Sequence, residues 1–125
     1  MQFGPVVPIL RFFDEAKMRE FYIGYLGFKL DFEHRFEPQT PLYAQISRDN
    51  CVIHLSEHHG DGTPGSVIRV PTSDLDAYHA ELTAKRYKYY RPGIQLMPWG
   101  LREMTVQDPF GTKLAFYELK HASAA

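Results

Sequence analysis

The sequence predicts an α+β fold built from two βαβββ modules whose curved sheets enclose a cup. Three observations predict it. The order strand, helix, strand, strand, strand runs twice, over about residues 3–57 and 65–119. The segment closing the first round, "VIHLSE", lines up with "KLAFYE", which closes the second. Between the rounds lies "HHGDGTPG", a turn-rich stretch with the composition of a module boundary. A repeated sheet-and-helix unit that cannot bury its own apolar face packs with its copy, so residues 1–125 are expected to form one domain.

The elements follow in order. Phe3 to Phe13, "FGPVVPILRFF", reads as a strand, with Pro5 and Pro8 placing it at an edge or a pairing position. Asp14 is an N-cap for a helix whose stripe is Phe21, Tyr22, Tyr25 and Leu26, and Gly27 ends it. Phe28 to Phe36 is the next strand. "PLYAQIS" and "CVIHLSE" form a hairpin with Asp49-Asn50 at its tip. In the second round "SVIRVP" is a strand, and Ser73 or Asp74 caps a helix through Leu75, Tyr78, Leu82 and Tyr87. "GIQLM", "LREMTVQ" and "TKLAFYE" are three further strands, and the terminal "KHASAA" reads as a frayed tail.

Bulk composition excludes several function classes. At 125 residues, 44% hydrophobic and 23% charged, the chain has the balance of a soluble globular protein. A net charge of −1 gives no electrostatic footprint for nucleic acid. The single cysteine, Cys51, rules out an internal disulfide framework and predicts a cytoplasmic protein. No apolar run reaches membrane-spanning length. Nine Phe, eight Tyr and one Trp are more aromatic residues than a core of this size needs.

Strand alternation sorts the candidate site residues. Leu42, Ala44 and Ile46 face the helices, so Tyr43, Gln45 and Ser47 face the cup. On the next strand His54 and Ser56 join Val52 on the cup side, opposite Ile53 and Leu55. Glu103 and Thr105 alternate away from Met104 and Val106, and Ala115 away from Leu114 and Phe116. A wall of rings, hydroxyls, one imidazole and one carboxylate suits a flat, polar organic molecule. Cys51 reads as an inert buried thiol, and His58 and His59 as solvated loop. Arg102 is a candidate ligand contact or a cross-strand ion pair. Adjacent strand residues face opposite ways, so Arg102 and Glu103 cannot form one catalytic dyad.

Two stretches carry a family resemblance. "VPILRFFDEAKMREFYIGYLGFKLDF" resembles the opening module of the glyoxalase/bleomycin-resistance/extradiol-dioxygenase (vicinal oxygen chelate) superfamily. "PWGLREMTVQDPFGTKLAFYE" resembles its closing module, most closely in the bleomycin-resistance branch. The likeness covers Val6 to Glu118, and its motifs specify the superfamily more sharply than any one activity. It implies paired βαβββ modules and a homodimer with a ligand cavity in each cup.

Superfamily enzymes hold a divalent ion at four cup-facing positions. By motif matching these fall here at Val7, His54, Ser66 or Val67, and Ala115, of which His54 alone is a good ligand. The resemblance therefore implies a metal-free binding protein of the bleomycin-resistance type, with no cofactor. Its ligand-stacking aromatics match Phe32 and Phe36, its strand serine matches Ser56, and its loop tryptophan matches Trp99. The expected ligand site is thus Phe32, Phe36, Tyr43, His54, Ser56, Trp99, Arg102 and Glu103. A metal-dependent lyase, isomerase or dioxygenase using His54 with an unforeseen partner is the alternative. The drug-binding members of that branch are strongly acidic, whereas this chain sets 14 basic against 15 acidic residues and carries Arg69 in its fifth strand. A neutral or anionic ligand fits that charge better than a cationic drug does.

Overall fold

Each half of the chain builds a four-stranded sheet by the same route. The computed structural model describes residues 1–89 and 91–118, so the expected tail "KHASAA" lies outside the described residues. The first half comprises β1 (Ile9–Arg11), α1 (Glu15–Met18), which widens into a π-helical stretch over Arg19–Tyr25, β2 (Lys29–His34), β3 (Tyr43–Arg48) and β4 (Cys51–Ser56). The second comprises β5 (Val67–Thr72), α2 (Leu75–Ala84), β6 (Ile94–Leu96), β7 (Arg102–Gln107) and β8 (Lys113–Glu118). The sheets run β1-β4-β3-β2 and β5-β8-β7-β6, parallel in the first pair of each and antiparallel elsewhere. They are curved and open.

Local chemistry accounts for the elements. Asp14 caps α1 by accepting from the Lys17 amide at 3.0 Å, and Asp74 caps α2 by accepting from the Ala77 amide at 3.0 Å. The first helix ends where Gly27 takes φ +80°, a conformation that disfavours a Cβ. A Cβ there would also lie 2.6 Å from Arg48 Nη1. At the β3–β4 tip Asp49 adopts φ 52°, which a short polar side chain tolerates.

Four departures from the expected elements have physical reasons. Of the strand expected over Phe3–Phe13 only Ile9–Arg11 is paired, because Pro5 and Pro8 supply no ladder N–H. Pro8 still contributes its carbonyl, which accepts from the His54 amide at 3.0 Å, while Met1, Phe3 and Val6 stand exposed. The first helix loosens after Met18, and the Leu26 amide bonds the Phe21 carbonyl five residues back at 2.8 Å. The second helix stops at Ala84, short of Tyr87, because Arg86 turns to φ 51°; Tyr87 then stacks on Tyr25 with centroids 4.4 Å apart. In β2 the register against β3 shifts between Leu30 and Phe32, leaving Asp31 as a bulge.

The core lies on the helix side of both sheets. Ile46, Ile53 and Leu55 from the first and Met104, Val106, Leu114 and Phe116 from the second join one hydrophobic cluster with Phe12, Phe21, Tyr22, Leu75 and Leu82. Polar cross-links tie the halves together. Arg48 pairs both guanidinium nitrogens with Glu81 at 2.6 and 2.7 Å, and the Tyr78 hydroxyl donates to the Leu26 carbonyl at 2.8 Å. The opposite faces of both sheets are left for the site.

Candidate functional site

A hydrogen-bonded chain crosses the open face of the first sheet. His54 sits level with Ile9 on one side and Gln45 on the other, and Gln45 is level with Phe32. The Tyr43 hydroxyl lies 2.6 Å from His54 Nδ1, and His54 Nε2 lies 2.9 Å from Gln45 Oε1. Gln45 Nε2 donates to Asp31 at 3.0 Å, and Ser47 donates to the other Asp31 oxygen at 3.0 Å. One assignment satisfies every member: Tyr43 O–H donates to Nδ1, and Nε2–H donates to Gln45. The bonds from Gln45 and Ser47 hold the Asp31 carboxyl below its ordinary pKa. Burial, then the Asp61 carboxylate, pushes the Tyr43 phenol up, which keeps it a neutral donor.

Aromatic rings surround this chain. Tyr43 and Phe32 meet the His54 ring edge-on at 5.2 and 6.1 Å between centroids. Phe36 stands edge-on to His34 at 5.0 Å and to His58 at 6.3 Å, and His58 lies 6.5 Å from Tyr43. Phe32 and Phe36 are 47% and 77% exposed, so their faces are open to a partner rather than spent on core packing. His58, expected as solvated loop, instead closes this ring of aromatics.

The second sheet presents a different group on its open face. Glu103, 5% exposed, is level with Tyr117 and pairs with Arg69, whose Nη1 is 2.5 Å from Oε1. That contact is an ion pair without the alignment of a hydrogen bond. The guanidinium also lies over the Tyr117 ring, 4.5 Å from its centroid. Trp99 projects from the β6–β7 loop and is 58% exposed. Gly100 makes that bend with φ +89° and an amide bond to the Met97 carbonyl at 2.9 Å.

Two expected residues are not with the others. Arg102 lies on the helix side of β7, sharing the parity of Met104, and pairs with Asp76 of α2 at 2.7 Å and Glu118 at 3.1 Å. Of the two readings of Arg102, ligand contact or cross-strand ion pair, the structure shows the ion pair, with Glu118 on the neighbouring strand β8. Ser56 is on the cup face but fully buried; its hydroxyl donates to Asp61 at 2.8 Å and accepts from the His58 amide at 3.1 Å. It fastens the link between the halves. Cys51 is half-buried, and burial pushes its thiol pKa up. The signal for Arg69 and Tyr117 was strand parity with Glu103. Asp31 carried none, because a bulge is not visible in alternation.

The described residues do not fit a resident divalent ion. Among the described residues no three His, Cys, Asp or Glu side chains come together as a metal-binding group. Both nitrogens of His54 are engaged, and its neighbours in the row are Ile9 and Gln45. The corresponding position of β8, Ala115, faces Arg69 and Thr105. A hollow of about 670 Å³ lies elsewhere, at the seam between the halves, bounded by Val6, Pro8, Val52, Arg69 and Tyr78 among others. None of the eight expected site residues lines it, although Arg69 does.

Comparison with known proteins identifies the family. A family model described as "Glyoxalase superfamily protein" matches residues 1–123. The bleomycin-binding protein of bleomycin-producing Streptomyces verticillus, solved with copper(II)-bleomycin, is 26% identical with a TM-score of 0.70, over 96% of this chain and 99% of that one. The bleomycin resistance determinant encoded on transposon Tn5 is 19% identical with a TM-score of 0.74, over 95% and 100% of the two chains. A glyoxalase/bleomycin resistance protein/dioxygenase superfamily member from Sphaerobacter thermophilus DSM 20745 is 22% identical with a TM-score of 0.66, over 90% and 94%. No curated protein matches the sequence.

Proposed function

The chain belongs to the glyoxalase superfamily, and from that premise we propose that it is a metal-free cytoplasmic protein that sequesters a flat, antibiotic-like small molecule. One observation carries this reading. His54, the one good metal ligand at the superfamily's positions, has both ring nitrogens committed to Tyr43 and Gln45, with the exposed ring of Phe32 edge-on to it. Such a face stacks and orients an aromatic ligand but has no donor set for polarising one. The bleomycin-binding structures with the same fold support a binding role.

The working form is a homodimer. Met1, Phe3 and Val6 at the start of the chain leave apolar side chains exposed, which a second copy would cover. In this form Phe32, Phe36, Tyr43, His54 and Asp31 make one wall, and Trp99 with the Glu103 group makes the other.

Titration with bleomycin, followed by calorimetry and by fluorescence of the sole tryptophan, tests the reading. Saturable binding with a Trp99 signal supports it. A protein that binds neither bleomycin nor any member of an aromatic-antibiotic panel, and retains a stoichiometric divalent ion, would move the search to a reaction.

A further inference from the structure

The second half-cup already contains a flat cation. The Arg69 guanidinium lies 4.5 Å above the centre of the Tyr117 ring and 2.5 Å from a carboxylate oxygen of Glu103. A planar cationic ligand would seek those same two contacts, a ring face for its charge and a desolvated carboxylate for its N–H groups.

The backbone explains how Arg69 reaches them. Arg69 is level with Ala115 on β8, and Glu103 lies on β7, the strand beyond. Neighbouring strands stand about 4.8 Å apart, so the guanidinium must span two spacings. Ala115, the residue between, has too small a side chain to block the path. Glu103 is 95% buried relative to solvent in this arrangement, since only 5% of it is exposed. The Arg69 guanidinium lies against this buried carboxylate. The balance of charge on this face is positive, because Lys113 shares the parity of Ala115 and Tyr117 and is exposed.

We infer that Arg69 is a specificity residue: it occupies the cation subsite formed by Tyr117 and Glu103, and so turns the cup toward flat ligands bearing an anionic group. A cationic ligand must displace Arg69 and leave it unpaired. An anionic one meets Arg69 and Lys113 directly. This inference rests on the binding reading above and names the charge of its ligand.

The test uses two fluorescent planar probes of opposite charge, 8-anilinonaphthalene-1-sulfonate and proflavine, with the full-length wild-type protein. The sulfonate should bind the wild type more tightly. In Arg69→Ala its affinity should fall and that of proflavine should rise, each by about tenfold, as expected for a half-desolvated charge contact. In Arg69→Ala/Glu103→Gln, folded by circular dichroism, the proflavine gain should vanish. A sulfonate that binds wild type and Arg69→Ala equally, with proflavine unchanged, overturns the role of Arg69 while leaving the binding cup standing. If neither probe nor bleomycin binds any of the three proteins, the cup reading fails and takes this inference with it.

Discussion

The Tyr22 hydroxyl donates to Asp108 Oδ2 at 2.6 Å, joining the first helix to a turn 86 residues further along the chain. The other Asp108 oxygen accepts from the amides of Phe110 and Thr112 at 2.9 and 2.8 Å. One carboxyl therefore builds the Asp-Pro-Phe-Gly turn and docks it on the other half. Both residues are buried, so Tyr22→Phe leaves Asp108 short of a donor at a cost of about 1–3 kcal/mol. Chemical denaturation at neutral pH checks it; an unchanged midpoint would refute it.

The same carboxyl gives a pH signature. Burial raises the Asp108 pKa above its ordinary value, against the lowering effect of the Tyr22 and backbone bonds. The folded state thus holds the proton more tightly than the unfolded state. Stability should fall as pH rises from about 3.9, the unfolded value, through the raised folded value. Asp108→Asn keeps Oδ1 as an acceptor for the turn and should flatten this limb of the stability–pH curve. A limb identical to wild type would show that other groups produce it.

Arg48 and Glu81 tie the halves by two parallel bonds, and both are about one-third exposed. A double-mutant cycle on Arg48→Ala and Glu81→Ala should return a coupling of about 1 kcal/mol. The Arg48 guanidinium holds the Glu81 carboxyl below its ordinary pKa. The pair's contribution is therefore full above the unfolded value of about 4.3 and is lost as pH falls through the lower folded value. Coupling that persists well below that value would contradict the ionic account.

In the first half-cup, Tyr43→Phe removes the donor to His54 Nδ1 without touching the core. Ligand affinity should drop several-fold while the unfolding midpoint moves by less than about 1 kcal/mol equivalent. Trp99→Phe should weaken a stacked ligand by about two- to tenfold, again with the fold intact. Equal losses of stability and binding in these variants would mean that the residues serve the fold rather than the ligand.

Deleting residues 1–7 removes exposed Met1, Phe3 and Val6 and leaves β1 whole. Sedimentation should show the full chain as a dimer and the truncated chain shifted toward monomer. A monomeric full-length protein would remove the partner-completed cup. Separately, elemental analysis of protein purified without chelator should find no stoichiometric divalent ion.

Alternation and punctuation in the chain were enough to determine the doubled βαβββ order, the capping by Asp14 and Asp74, the turn at Gly27, and which of Tyr43, His54 and Glu103 face the cup. These follow from short-range physics, in which side-chain direction and allowed φ are set within a few residues. Only tertiary structure decided what those side chains meet. It turned Arg102 to Asp76 and Ser56 to Asp61, added Asp31 through a bulge, and laid Arg69 over Tyr117 beside Glu103. Each of these depends on register between strands or on a helix packed across them, and register is fixed by the whole sheet rather than by any one segment.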